Sequence, residues 1–139
     1  MTTEQDKYHE LSFYTLAHPD RRFIHQHVVD AFAAQHADQH TKAITIVFAL
    51  IGLYLYVEKN LSGRDVQRIH ARLAETHRRW PDIEPPVERG TVTVSDVLAT
   101  APGPARDDMI RQWCASVWAA WKDQHDQIRA LWHDAGISL

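Results

Sequence analysis

The hydrophobic residues of this chain are concentrated in residues 23–57, FIHQHVVDAFAAQHADQHTKAITIVFALIGLYLYV. The pattern predicts two consecutive helices, over about 21–37 and about 43–60. The second of them has no charged side chain between Lys42 and Glu58. A helix that is apolar on all sides is normally buried in the middle of a protein. We therefore expect this second helix to be the central element of the fold.

The flanking segments also have helical patterns. One predicted helix covers about 3–17. Pro19 stops it, because the residue before a proline avoids helical backbone angles. Asp20 is then expected to cap the helix over 21–37. Ser62 is expected to cap the helix that follows the central one. This following helix is predicted to run to about 79, and its inward-facing stripe ends at His77.

The last helix is predicted from about Pro104 to about 135, because proline is favoured in the first helical turn. Gly136 is its expected terminator. This helix has the clearest amphipathic pattern of the chain, and His125 is the polar residue that interrupts its apolar stripe. The stripe consists of Ile110, Trp113, Cys114, Val117, Trp118, Trp121, His125, Ile128 and Trp132.

Residues 81–104 differ in composition from the rest, since they hold five of the six prolines and two of the five glycines. They predict an ordered loop in which Ser95 caps one short helical turn that ends near Thr100. The segment TVTV alternates like a strand but has no partner strand in the chain. We predict an all-α fold: a bundle of four main helices, with this Pro-rich loop and a short extra helical turn before the last helix.

Composition and charge fit one soluble globular domain, assigned to residues 1–139. Acidic and basic residues are interspersed and the net charge is −3, which argues against a nucleic-acid partner. The single cysteine, Cys114, and the polar, acidic first residues predict a cytoplasmic location without a signal peptide. The apolar stretch 43–57 is shorter than the roughly 18 residues of a membrane-spanning helix, so no membrane association is expected.

Polar side chains inside apolar helix faces are the candidate functional residues. His27 and Asp30 share one face of the second helix, at a spacing that lets both side chains reach one point. His125 interrupts the last helix, and Glu58 follows the last aliphatic residues of the central one. Together they form a mixed histidine and carboxylate set, which suits Zn, Fe or Mn. The alternative is that His27 and Asp30 form a purely structural buried pair.

Other chemical signals are weaker. His36 and His40 have a chelating i, i+4 spacing but straddle the expected end of a helix. No metalloprotease, thiolate-metal or calcium-loop motif occurs, and no phosphate loop or nucleophile elbow. Cys114 lies in the middle of an apolar stripe and is expected to be a small buried residue. The four tryptophans of the last helix are expected to be core or interface anchors.

The sequence resembles a bacterial family of uncharacterised domains. The resemblance rests on the segments HQHVVDAFAAQH, LIGLYLYVEKNL and WCASVWAAW, the last followed by His125, and it covers most of the chain. It supports the choice of His27, Asp30, Glu58 and His125 as site residues but implies no reaction. A looser similarity, of architecture only, links the chain to DinB-like metal-binding bundles. Their HxxxH pair is absent, since Arg129 is four residues after His125.

Two functions from different classes follow. The first is a metal-binding helical bundle, with His27, Asp30 and His125 as ligands and Glu58 as a further ligand or a general base, acting on a small-molecule ligand as a binding protein or an enzyme. The second is a non-catalytic bundle that forms a homodimer or binds a partner through its Trp-rich last helix. A third hypothesis, of lower weight, is an aromatic cofactor pocket, for haem for example.

Overall fold

The computed structural model describes residues 3–18, 20–76 and 78–138. Within these ranges the protein is all-α, as predicted, and contains no strand. The seven helices are α1 Glu4–Ala17, α2 His25–Gln35, α3 Ala43–Val57, α4 Gly63–Glu75, α5 Val94–Ala99, α6 Pro104–Ala120 and α7 His125–Ala135. The predictions for Pro19 and His77 concern residues outside the described ranges.

Helix α3 is the centre of the fold, as its uniformly apolar sequence predicts. It contacts α2, α4, α6 and α7. Its second half is buried on every side, and the side chains of Leu50, Ile51, Leu53 and Leu55 are inaccessible to solvent. Burying each such side chain stabilises the fold by roughly 1.5–3 kcal/mol, so this helix makes the largest single contribution to the core.

The last helix is not continuous, and the predicted count of four main helices is not confirmed. Helix α6 ends at Ala120, a short 3-10 turn covers Lys122–Gln124, and α7 begins at His125. One straight helix over 104–135 would be roughly 48 Å long at 1.5 Å per residue, longer than a domain of this size. The break lets α7 pack against α3 instead.

Local start and end signals are correct at three of the five predicted positions that the structure describes, and α6 begins at Pro104 as expected. The Ser62 hydroxyl accepts a hydrogen bond from the Asp65 backbone N–H at 3.1 Å, and Gly136 ends α7 in the left-handed conformation. At the short helix α5 the cap is Thr93, whose side chain forms a reciprocal capping box with Asp96. Ser95, the predicted cap, is the second residue of α5, and its hydroxyl donates to the Glu4 carboxylate on α1 at 3.0 Å.

Helix α2 begins four residues later than its predicted start at 21. The Asp20 carboxylate does not cap this helix, because it accepts the backbone N–H groups of Arg22 and Ile24 in the preceding turn. Phe23 has a positive φ of 55°, which interrupts the helical path there. His25 is therefore the first residue of α2.

The Pro-rich loop after α4 is attached to the helices by buried polar contacts. The Gln35 amide nitrogen donates to the backbone carbonyls of Arg89 and Val92, at 3.1 and 2.8 Å. Its amide oxygen accepts the indole N–H of Trp113 at 2.9 Å. The Ser116 hydroxyl accepts the Thr91 backbone N–H at 2.8 Å. The last part of the loop, residues 89–93, is thus connected to both α2 and α6.

The tryptophans of α6 and α7 are core residues. Trp113, Trp118 and Trp132 are at most 8% exposed, and Trp121, directly after α6, is also buried. They pack within this chain and so provide no exposed aromatic face for a partner. In the described ranges no helix has the length and apolar character needed to cross a membrane.

Candidate functional site

The four predicted site residues lie in two separate pairs. His27 and Asp30 are one turn apart on α2, and both are buried. Glu58 follows α3 and His125 begins α7, where both contact Trp118. The described part of the chain contains no group of three or more His, Cys, Asp or Glu side chains positioned to hold a metal ion. The predicted set of four is therefore not assembled as one cluster, and metal binding itself stays a prediction.

His27 is a buried histidine without a hydrogen-bond partner at either ring nitrogen among the described residues. It is 2% exposed, and its ring stacks on Tyr56 of α3 with centroids 3.5 Å apart and planes 9° from parallel. Burial, together with the positive charges of Arg22 and Arg111, lowers the pKa of His27 to about 3. The imidazole is therefore neutral at pH 7, with one nitrogen able to donate and the other to accept.

Asp30 lies deeper in the interface between α2 and α3. One carboxyl oxygen accepts the side-chain amide of Gln26 at 3.1 Å, and the other, Oδ2, has no partner in the described residues. Burial raises the pKa of Asp30 well above its ordinary value, because an apolar surrounding disfavours the ionised form. The carboxyl group packs on the backbone of Gly52, where a Cβ atom would lie 2.0 Å from Oδ2. Only glycine fits at this point of α3.

His27 and Tyr56 line a cavity of about 250 Å³ near the protein surface, which we call the His27 cavity. Its walls come from the turn before α2, the end of α3 and the first turns of α6. The remaining lining residues are Asp20, Arg22, Ile24, Asp107, Asp108 and Arg111.

The His27 cavity carries charges of both signs around a neutral imidazole. The Arg111 guanidinium lies over the Tyr56 ring, 4.9 Å from its centroid, and donates to the Asn60 side chain at 3.3 Å. Asp107 is an exposed residue, but partial burial of its carboxyl group, together with the nearby negative charge of Asp20, raises the pKa of Asp107. Because these effects disfavour the ionised carboxylate, a positive group bound beside Asp107 would stabilise that ionised form.

Glu58 and His125 form a separate polar cluster around Trp118. The Trp118 indole N–H donates to Glu58 at 2.7 Å, and Arg129 donates to both carboxylate oxygens at 2.8 and 3.0 Å. Burial alone would raise the pKa of Glu58, but these hydrogen bonds and the positive charge of Arg129 outweigh it and lower the pKa. His125 stacks on the Trp118 ring at 3.7 Å and donates to the Trp118 carbonyl at 2.7 Å. The cluster joins α3, α6 and α7.

Other histidine and cysteine predictions agree with the structure. Helix α2 ends at Gln35, so His36 and His40 do not share a helix, and His36 stacks on Phe32 at 4.2 Å. Cys114 is fully buried, and its thiol contacts the His27 carbonyl at 3.6 Å. Burial raises the pKa of the Cys114 thiol, which makes it an unreactive core residue.

Sequence reasoning did not find the charged walls of the His27 cavity. Arg22 and Arg111 are far apart in the chain and resemble ordinary surface arginines in the sequence. In the sequence, Asp107 resembles an ordinary acidic residue that suits the positive start of a helix. These residues meet because α6 packs on α2, and no periodicity within one helix reports that contact.

These features define a class of protein: a small all-α protein with a polar cavity built against a buried, neutral histidine. The chain belongs to DUF5946, a family of unknown function, whose model matches residues 5–122. This match agrees with the resemblance to an uncharacterised family, and His125 lies outside the matched range. No curated protein and no solved structure matches the chain, so the similarity to DinB-like bundles stays a prediction.

Proposed function

We propose that this protein binds a small polar molecule in the His27 cavity. The observation that carries the proposal is the pair of unpartnered nitrogens on a 2% exposed imidazole that lines this cavity. Buried polar groups are almost always hydrogen-bonded, because leaving one without a partner costs about 1–3 kcal/mol. Both nitrogens are covered in this structure. A ligand that displaces part of the cavity wall, and then accepts from one nitrogen or donates to the other, offsets that cost.

The charges of the cavity indicate what kind of molecule it suits. Asp20, Asp107 and Asp108 favour an ammonium or amidinium group, while Arg22 and Arg111 favour a carboxylate. At about 250 Å³ the cavity is slightly smaller than usual ligand pockets. A small zwitterion that carries both an amine and an acid is the ligand class that these walls complement.

We assign binding rather than catalysis to this cavity. A general base works best with a pKa near the working pH, and His27 with a pKa of about 3 is too weak a base at neutral pH. Glu58, the general base suggested by the sequence, is held by Arg129 and Trp118 and does not line the cavity.

The test is ligand-detected NMR with a panel of amino acids and related small zwitterions. We expect at least one to bind the wild-type protein, and His27→Gln to weaken that binding tenfold or more. His133→Gln, which changes an exposed histidine of α7, is the matched control and should leave binding unchanged. If no member of the panel binds, or if both variants weaken binding equally, the proposal is wrong.

A second candidate function is metal binding at a smaller site than the one predicted from the sequence, with His27 but without Glu58 and His125. His27 supplies an unpartnered nitrogen, and carboxylates line the same cavity. Because no three such side chains are grouped in the described residues, a divalent cation such as Zn, Fe or Mn would take at most two protein ligands here, and water or a bound molecule would complete its coordination. Elemental analysis of protein purified without chelator tests it. Near-stoichiometric metal that is lost in His27→Gln would support it, and metal content unchanged by that variant would exclude it.

A further inference from the structure

A second cavity, of about 670 Å³, lies on the other side of Arg22, and we call it the arginine cavity. It is formed by the turn before α2, the α3–α4 connection, one face of α4 and the end of the chain. Four arginines line it: Arg21, Arg22, Arg68 and Arg72. The one acidic residue among its described lining is Asp65.

We infer that the arginine cavity binds the phosphate group of a small soluble organic molecule. The first argument is charge. The whole chain has a net charge of −3, yet four guanidinium groups surround one cavity, and the described part of its lining holds a single carboxylate. Like charges gathered in this way repel one another, and an anion with several oxygens offsets that repulsion.

The second argument is the number of hydrogen-bond donors that remain available. Arg22 uses one donor on the Asn60 carbonyl, at 2.9 Å, and Arg72 uses one on the Ser138 carbonyl, at 3.1 Å. Arg68 pairs with Asp65 at 3.0 Å. Arg21 has no side-chain partner among the described residues. A guanidinium has five N–H donors in a planar fork that matches phosphate oxygens, so most of the donors remain for a ligand.

The third argument concerns the rest of the ligand. Leu61 and Ile69 add an apolar part to the lining, which suits an organic group attached to the phosphate. The chain as a whole is acidic, and its basic residues are interspersed with acidic ones, unlike the extended basic surface of a nucleic-acid-binding protein. The exposed large hydrophobic side chains of the described chain, such as Phe13 and Val87, are not part of this lining, so no apolar rim for a lipid surface surrounds it.

The test is isothermal titration calorimetry of the full chain, with pyrophosphate as the probe. We expect saturable binding that weakens as salt is added, and a loss of at least tenfold in the double variant Arg68→Gln/Arg72→Gln. The matched control is Arg64→Gln/Arg79→Gln, which removes the same charge from residues that do not line the cavity. It should change the affinity less than twofold.

Two further variants keep the result interpretable. Arg21→Gln removes an exposed side chain that makes no hydrogen bond or ion pair among the described residues, so this variant should fold normally and still weaken pyrophosphate binding several-fold. His27→Gln should leave pyrophosphate binding within twofold, which separates this site from the His27 cavity. Absence of saturable binding, or equal losses in the double variant and its control, would overturn the inference. Binding to vesicles rich in anionic lipid without binding to pyrophosphate would also overturn it.

Discussion

The contact between Gly52 on α3 and Asp30 on α2 gives the sharpest prediction about stability. Changing Gly52 to alanine adds one methyl group 2.0 Å from the Asp30 Oδ2 atom and 2.7 Å from its Cγ. Contacts of a Cβ atom below 3.0 Å essentially do not occur in proteins. Asp30 is 3% exposed, so its carboxyl group cannot turn out into solvent, and either this group is displaced within the packed core or α2 and α3 move apart.

Two effects of opposite sign determine the size of the change. In a helix interior, replacing glycine by alanine stabilises by about 1 kcal/mol. Overfilling a packed core costs about 1–3 kcal/mol, and we take about 3 because the contact is too short by a full ångström. The expected net loss in the free energy of unfolding for Gly52→Ala is therefore about 2 kcal/mol.

Urea unfolding followed by tryptophan fluorescence measures this loss. With a denaturant dependence of about 2 kcal/mol per M, the midpoint should fall by about 1 M. The control is the same change made in an Asp30→Ala background, where the short contact is gone. There Gly52→Ala should stabilise the protein by up to about 1 kcal/mol. An unchanged or higher midpoint for Gly52→Ala in the wild-type background would refute the reasoning.

Three other predictions concern single side chains. His27 has a folded-state pKa of about 3 against an ordinary 6.5, so between these values only the unfolded chain binds the proton. Stability should therefore fall on acidification from pH 6.5 towards 3, by up to about 1.4 kcal/mol per pH unit, and His27→Gln should flatten that slope in acid unfolding curves. Gln35→Ala leaves the Trp113 indole and two loop carbonyls without a partner, so we expect a loss of about 3 kcal/mol and faster proteolysis in the loop before α5; resistance equal to wild type would contradict this. Glu58→Gln weakens a part-exposed ion pair with Arg129, and should cost less than about 1 kcal/mol in thermal unfolding; a much larger loss would mean that the cluster around Trp118 is more important than its exposure indicates.

Much of the fold is predicted by signals that lie within a few neighbouring residues. The unbroken apolar sequence of α3 has one physical solution, which is a buried central helix. The Ser62 cap and the Gly136 terminator depend on backbone conformations that these residue types favour by themselves. The burial of His27 and Asp30 is also predicted correctly, because both side chains lie on an otherwise apolar face of α2.

The errors arise where a contact between distant segments overrides the local pattern. The stripe from Ile110 to Trp132 is consistent with one long helix, but the space available beside α3 requires a break near Trp121. His125 and His27 both interrupt apolar faces, yet they belong to different helix interfaces. A pattern within a helix identifies the inward side chains but does not report which inward side chains meet.

The attachment of residues 89–93 limits how the length of this chain can vary among its relatives. Contacts from Gln35 and Ser116 fix both the position and the register of this short segment. An added or deleted residue there would shift every later carbonyl and N–H group out of reach. Residues 84–88, which include the fully exposed Val87, make no hydrogen bond to α2 or α6 in the described part of the chain, and Pro86 is held only by the nearby Arg89 side chain. Insertions and deletions in the family should therefore fall before Arg89 and be rare between it and α5.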